Sequence, residues 1–205
     1  MQLSSSFYTR TNVVQISKEL IGKVLCSNVD NVLTEALITE TEAYGGISDK
    51  ASHAYSGRRS ERTEIMYRKG GCAYIYLCYG MYSLFNVVTN KTDIPHAILI
   101  RGAVPVTGID VMLKRSGKKK LTHNLLTGPG KLSKAMGIHY SQTGTSLFGN
   151  LLWIEDRGIT IPAEKITATP RIGVDYAEED ALLPYRFVVN VNDVGNFFNI
   201  FTIQK

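Results

Sequence analysis

The sequence predicts an α+β fold: one domain over residues 1–205, with a mixed, largely antiparallel β-sheet, peripheral helices and a protruding β-hairpin. Three observations predict it. Runs of β-branched and aromatic residues recur at strand length, each bounded by turn residues. Helical apolar periodicity is confined to short stretches near residues 12–22, 108–114 and 131–136. With 205 residues, 44% of them hydrophobic, the chain can bury one sizeable core, and no repeat or low-complexity linker divides it.

The elements follow in order. Asn12 can cap a first helix, with Gln15 three residues on as capping-box partner. Val13, Val14, Ile16, Leu20 and Ile21 form its apolar stripe, and Gly22 stops it. Residues 23–26 and 32–42 read as two strands around a Val-Asp-Asn turn. A loop leads to Gly57, then a short helix capped at Ser60 or Thr63 and closed by Gly70-Gly71. Residues 72–88 form a hairpin that turns at Tyr79-Gly80-Met81. Residues 96–104 are a further strand, carrying Arg101. A helix over 108–114 gives way to a basic exposed loop that runs to His123. A last helix over 131–136 is entered through Gly128-Pro129-Gly130 and ended by Gly137. Short strands near 151–154, 171–174 and 187–189 close the chain.

The net charge is +5 and unevenly spread. Between Asp110 and Glu155 no acidic residue occurs, while Lys114, Arg115, Lys118, Lys119, Lys120, Lys131 and Lys134 all do. A second basic group comprises Arg58, Arg59, Arg62, Arg68 and Lys69, and Glu178-Glu179-Asp180 compensates at the far end. Such segregation favours a polyanionic partner. Cys26, Cys72 and Cys78 are odd in number and lack paired Cys/His spacing, so they predict reduced thiols and neither a disulfide framework nor a metal site. No apolar run reaches membrane-spanning length, and the first residues lack a charged-then-apolar signal pattern. The expectation is a soluble, intracellular protein with no membrane contact.

The chemistry-bearing stretch runs from residue 36 to His53. An apolar strand start, Ala36-Leu37-Ile38, leads to Glu40 and Glu42, whose carboxylates share one face of an extended chain, and Tyr44 follows on that face. Gly45-Gly46 breaks the strand and a loop carries His53 back. Delivery of carboxylate, ring and imidazole to one rim suits a ligand site, although an edge strand with a solvated acidic face explains the same residues. Four tyrosines, Tyr74, Tyr76, Tyr79 and Tyr82, crowd the hairpin. A large aromatic at its turn has little core to join, so Tyr79, with Met81, suggests a wedge for a base stack. Tyr44, Tyr76 and His53 could form the flat walls of a pocket for a planar base. Asn86 and Arg101, polar within apolar strands, are either groups of that pocket or structural hydrogen-bonders. Gly128-Pro-Gly-Lys131 is not a nucleotide-binding loop, because Leu125 replaces its first glycine and Leu132 its hydroxyl. The turn suits a single backbone phosphate beside Lys131, or an ordinary tight helix start.

Six motifs in order carry a resemblance: Glu40-Thr-Glu-Ala-Tyr44, Asp49-x-x-Ala-Ser-His53, Tyr76-x-x-Tyr-Gly-Met81 with Asn86, Leu99-Ile-Arg101, Gly128-Pro-Gly-Lys-Leu132 and Pro170-Arg-Ile-Gly173. Together they resemble the alkyladenine (3-methyladenine) DNA glycosylase family, the mammalian-type enzyme with bacterial members, over nearly the whole chain. The resemblance implies that Glu42 is the general base activating water for attack on the sugar C1′, with Arg101 supporting that water. It implies that Tyr44, His53 and Tyr76 hold a flipped base, that Asn86 screens its minor-groove edge, and that Tyr79 fills the gap in the duplex. Three departures stand out: Gly70-Gly71 where Pro-Gly is common, Gly102 after the arginine in place of alanine, and Tyr185 for a frequent tryptophan.

The expected protein is therefore a monomeric, monofunctional glycosylase of base excision repair, with no cofactor and no metal. Its partner is double-stranded DNA containing alkylated or deaminated purines of the 3-methyladenine, hypoxanthine or ethenoadenine type. Lys118, Lys119, Lys120 and Lys131 are expected to meet its phosphates. Two rivals remain. A non-catalytic nucleic-acid-binding module with an aromatic stacking platform leaves Glu42 without a role. A hydrolase of free nucleosides leaves the wedge and the basic stretch without one.

Overall fold

The computed structural model describes residues 1–190; residues 191–205 of the expected single unit lie outside the described residues. Four helices and eight strands are placed: α1 (Ser5–Tyr8), α2 (Val13–Glu19), β1 (Val24–Val29), β2 (Val32–Tyr44), β3 (Ala73–Cys78), β4 (Tyr82–Thr89), β5 (His96–Thr107), α3 (Ile109–Ser116), α4 (Pro129–Met136), β6 (Leu152–Glu155), β7 (Ile166–Thr169) and β8 (Arg186–Val189). The strand order is β3-β4-β5-β2-β1-β6, with β8 joining β2 and β7 joining β8. Every described pairing is antiparallel, so the sheet of the α+β fold is not mixed but antiparallel throughout the described residues. Tight turns explain much of this. Asp30-Asn31 takes φ of 57° and 58°, as a type I′ turn requires, and returns the chain directly from β1 to β2.

β2 is the axis. β5 runs along one side of it, while β1 and β8 share the other side end to end, β1 against residues 32–37 and β8 against 40–42. Every residue of β2 from Thr34 to Ala43 is buried, and Thr39, Glu40, Thr41 and Glu42 are among them. The main core gathers Ile16 and Leu20 of α2, Met112 of α3 and Leu132 and Met136 of α4 with Leu25, Leu37, Ile38, Phe85, Ile98 and Ile100 of the strands. A smaller cluster of Ala54, Ile65, Met66, Tyr67, Tyr74, Val88 and Ala97 lies under the loop that carries His53.

Several expected elements form as read. Asn12 caps α2 by accepting from the Gln15 amide at 3.0 Å, though the Gln15 side chain turns to Glu19 and leaves the capping box half made. Gly137 ends α4 in the left-handed conformation. The short helix after Ser60 is a single 3₁₀ turn, Glu64–Tyr67, and Ser60 and Thr63 bond one another instead of capping it. The strand expected at 171–174 does not form. Its backbone is committed elsewhere: the Ile172 amide donates to Glu42, Gly173 has φ of 74°, and the ladder partner of β8 is β7. Cys26, Cys72 and Cys78 are free thiols. Among the described residues no helix is long and apolar enough to cross a membrane.

The first departure has a packing reason. A methyl at Gly70 would stand 2.6 Å from the Tyr8 carbonyl oxygen and 3.0 Å from that of Asn90, both backbone atoms with no room to retreat. Gly70→Ala is expected to destabilise by ~1–3 kcal/mol through overpacking. Gly149→Ala, whose methyl would meet only the Ser146 carbonyl at 3.6 Å, should stay within about 0.5 kcal/mol of the parent. Urea unfolding of the two variants reads the contrast, and equal midpoints would refute it.

Candidate active site

Two β-bulges build the floor of the site. Between Ile38↔Ala103 and Glu40↔Gly102 the extra residue is Thr39; between Glu40↔Gly102 and Thr41↔Ile100 it is Arg101. The second bulge restores the register that the first shifts, and Glu40, Glu42 and Tyr44, all beyond Thr39, keep among themselves the alternation that the sequence predicts. A bulge also re-aims its extra side chain, and Arg101 turns onto the carboxylates of β2. Its Nε donates to Glu40 Oε1 at 2.9 Å, and Nη1 makes a looser contact of 3.4 Å with Glu42 Oε2. From β8, Arg186 Nε donates to the same Glu40 oxygen at 2.7 Å. Glu40 thus spaces two arginines.

Glu42 is 0% exposed. Its Oε1 accepts from the Ile172 amide at 2.8 Å and its Oε2 from the Tyr44 hydroxyl at 2.8 Å. Burial raises its pKa from the ordinary carboxylate value; the Arg101 charge, the Ile172 amide and the Tyr44 hydroxyl oppose that rise without cancelling it. The result is a carboxylate that takes a proton more readily than one in water.

In front of Glu42 lies a slot of about 220 Å³, lined by Tyr44, His53, Tyr74, Tyr76, Asn86, Arg101 and Tyr176 among others. That is smaller than the roughly 300–1,000 Å³ of pockets for drug-sized ligands and suits a single small ring system. Glu42 does not itself line the slot; its partners Tyr44 and Arg101 do. His53 and Tyr76 meet edge to face with centroids 4.6 Å apart, so no ring fits between them and they form one wall. Tyr44 reaches the slot from another strand. The Asn86 amide donates to the Tyr74 and Leu84 carbonyls, both at 3.1 Å, which fixes its orientation.

His53 Nδ1 lies 2.7 Å from the Tyr74 hydroxyl. With no second acceptor for that hydroxyl among the described residues, Tyr74 donates and the neutral imidazole carries its hydrogen on Nε2. Burial, then the nearby Arg62 and Arg58 charges, push the His53 pKa down from 6.5 to about 4.

Tyr79 stands at the hairpin turn, 88% exposed, and Met81 beside it is also exposed. Tyr79 and Gly80 have φ of 51° and 70°, and the Met81 amide closes the turn on the Cys78 carbonyl at 3.0 Å. Left-handed backbone is cheap for glycine and costly for tyrosine. Tyr79 lines the slot and also a groove of about 450 Å³ that continues to Lys131 at the start of α4. On the slot's other flank, His53 and Tyr176 are shared with a groove of about 510 Å³ that includes Lys50 and Arg58. Lys118, Lys119 and Lys120 are exposed but line none of these three cavities.

Sequence reasoning missed Ile172, whose contribution is a backbone amide, and Tyr176, half hidden in an acidic run. It gave Tyr74 no role, although Tyr74 and Tyr76 are two apart and share a strand face by the rule applied to Glu40 and Glu42. It also did not foresee that Cys26, Glu35 and Glu155 bring potential ligand atoms within 4.8 Å of one another. That donor set does not fit a metal. The Arg157 guanidinium bonds Glu35 and donates to Glu155 at 2.9 Å, and burial pushes the Cys26 thiol up to about 12.

Fold and site together define a class: an antiparallel-sheet protein offering an aromatic slot, backed by a buried ion-paired carboxylate and flanked by an exposed aromatic tip. The chain belongs to the methylpurine-DNA glycosylase family, whose description matches residues 6–193, as the six motifs implied. A Chlamydia felis protein provisionally named a 3-methyladenine DNA glycosylase is 44% identical over 190 residues, 92% of this chain and 96% of its own. A Bacillus cereus protein of the same provisional name is 44% identical over 199 residues, 91% of this chain and 95% of its own. A third, from Chlamydia pneumoniae, is 41% identical and covers 94% of this chain and 97% of its own.

The His53 environment makes a solution prediction. Because its folded-state pKa is depressed, His53 contributes stability that is fully present above about 6.5 and is lost as pH falls through about 4. Nitrogen-15 NMR of the imidazole should show a neutral ring, protonated on Nε2, from pH 6 to 8. A titration midpoint near the ordinary value would overturn the assignment.

Proposed function

We propose that this protein is a monofunctional DNA N-glycosylase that flips an alkylated or deaminated purine out of duplex DNA and hydrolyses its N-glycosidic bond. The observation that carries the reading is the carboxylate of Glu42, buried behind an aromatic slot with its proton affinity raised. A general base works best when its pKa approaches the operating pH. Water attacks C1′, its proton passes to Glu42, and the C1′–N bond breaks with the electron pair leaving on the base. A water reaches Glu42 by replacing its weakest contact, that of Arg101 Nη1 at 3.4 Å. The same carboxylate offsets positive charge developing on the sugar. A cationic alkylated purine leaves as a neutral base and stacks well on electron-rich rings.

The surface supports duplex DNA over a free nucleoside. The two grooves flank the slot, one ending in Lys131 and the other carrying Arg58, which suits a phosphate chain passing the mouth on both sides; Lys50 in the second groove is already paired with Glu178 and Glu179. Tyr79 is the wedge. A bulky residue held in left-handed backbone at an exposed tip is strain without a packing return, and filling a vacated base position gives it a purpose. Asn86, anchored at the slot, screens the base edge. The protein acts as an intracellular monomer in this reading, on purines of the 3-methyladenine, hypoxanthine and ethenoadenine type. Lys118, Lys119 and Lys120 serve the outer reach of the duplex.

Glu42→Gln keeps the shape and removes the base, so single-turnover release from a lesion duplex should fall at least ~10²-fold while duplex affinity survives. Near-normal turnover would falsify the assignment. Glu40→Gln, which loosens Arg101 and Arg186 without touching the proton acceptor, should cost less.

Selectivity gives a second measurement. Asn86→Ser shortens the anchored amide and should permit measurable guanine release, with hypoxanthine release kept within about an order of magnitude, as for loss of one clash worth ~1–3 kcal/mol. Paired single-turnover rates on the two duplexes decide it; an unchanged ratio would leave Asn86 a structural hydrogen-bonder.

A further inference from the structure

Next to the slot-lining Ile172, one arginine ties three chain segments together. The Arg171 side chain is 0% exposed. Its Nη1 donates to the Ala43 carbonyl at 2.9 Å, on β2 beside Glu42, and to Asp49 Oδ2 at 2.5 Å. Its Nη2 donates to Asp49 Oδ1 at 2.9 Å and to the Asp180 carbonyl at 3.1 Å. The guanidinium lies over the rings of Tyr44 and Tyr185, 4.9 and 5.4 Å from their centroids. Asp49 in turn accepts from the Gly45 and Ala51 amides at 2.8 and 3.0 Å, shaping the loop that leads to His53. The residue after Arg171 is Ile172, whose amide reaches Glu42.

We propose that Arg171 is a positioning residue for Glu42: its fork on Asp49 and Ala43 fixes the following peptide, so that the Ile172 amide holds one carboxylate oxygen while Tyr44 holds the other. Resting on the catalytic reading of Glu42, this assigns Arg171 a task that no direct contact with the base performs. A carboxylate held at both oxygens cannot rotate, and the water it activates meets it in one orientation. A planar fork is needed because a lysine ammonium satisfies neither the bidentate geometry nor the stacking on two rings.

The proton affinity of Glu42 reports this hold. The groups that face Glu42 are Glu40 and Tyr44 on β2, Arg101 on β5, Arg186 on β8, Tyr76 on β3, the Ile172 amide with Arg171 in the loop, and Asp49 and Tyr176 beyond them. Arg171→Lys leaves every charge in that set in place. A rise in the Glu42 pKa in this variant therefore reads the loss of the Ile172 hydrogen bond and not the loss of a positive charge.

The test uses the full chain with carbon-13 carboxyl-labelled glutamate, the Glu42 signal being identified by its absence in Glu42→Gln. In Arg171→Lys the Glu42 midpoint and the acid limb of the single-turnover rate should rise together by about one pH unit, a tenfold gain in proton affinity. Lesion-duplex affinity should change less than threefold. Asp49→Glu, which keeps every charge and displaces the carboxylate that seats the fork, should move both in the same direction by less, and it carries the test if Arg171→Lys does not fold. A lower melting temperature with the Glu42 midpoint unmoved would make Arg171 a structural residue only and overturn the proposal. Base release that survives Glu42→Gln would sink the catalytic reading instead, and the NMR midpoint would still decide whether Arg171 holds the carboxylate.

Discussion

The structure depends on keeping one carboxylate ionisable although the fold buries it completely. Burying an unpaired charge is prohibitive, and burying a paired one is tolerable only when its lone pairs are met. Glu42 has no exposure, and each of its donors comes from a different part of the chain: Arg101 from β5, Tyr44 from its own strand, the Ile172 amide from the loop before β8. Arg186 adds a second cation through Glu40, so that two acids and two arginines balance. The balance is incomplete, since burial still raises the Glu42 pKa. The folded chain then binds that proton more tightly than the unfolded one, and stability falls as pH rises from the ordinary carboxylate value through the raised one. The buried carboxylate thus works against the fold at neutral pH, and the apolar core of α2, α3 and α4 on the sheet offsets it.

The hairpin tip follows the opposite logic. Both oxygens of Glu42 are held by hydrogen bonds; at Tyr79 almost nothing holds the ring. Its backbone is left-handed, its side chain is in solvent, and the turn closes through one amide from Met81. In the proposed reaction Glu42 would take the proton and Tyr79 would enter the duplex, dividing the work between buried electrostatics and exposed shape. The slot joins them, because Tyr79 lines its mouth and Arg101 and Tyr44 its inner wall.

How much of this was legible depended on whether the deciding force was local. Period-two alternation put Glu40, Glu42 and Tyr44 on one face, and the structure keeps them there because all three lie beyond the bulge at Thr39, in a stretch whose residues 40–42 pair regularly with β8. No residue pattern signals the bulge at Arg101 that aims its guanidinium at those carboxylates. The turn at Gly80, the start of α2 and the end of α4 were readable for the same reason: capping and turn chemistry act over a few residues, whereas α4 begins at Pro129, two residues before the expected start. Arg171 was not. An arginine beside Ile-Gly-Val reads as a strand residue with a solvated head, whereas its partner Asp49 lies far away in sequence. The basic stretch shows the limit from the other side. Charge counting singled out Lys131 and Arg58, which line the flanking grooves, together with Lys118, Lys119 and Lys120, which line neither, and it passed over Lys50.

Asn86 shows how a polar residue becomes a wall. Only the NH₂ group of an amide can donate to the Tyr74 and Leu84 carbonyls, so these two bonds decide which way the side chain faces. Both hydrogens are consumed, and the polar atom left over is Oδ1, an acceptor that cannot turn into a donor without stranding two buried carbonyls. The 2-amino group that distinguishes guanine from hypoxanthine is a donor, and an acceptor in front of it does not repel it. If Asn86 excludes guanine, as proposed, the exclusion has to rest on volume: the anchored amide cannot withdraw to admit the extra group. Selectivity of that kind would follow from the backbone of β3 and β4 holding the side chain still, in the same hairpin that carries the exposed Tyr79 at its other end.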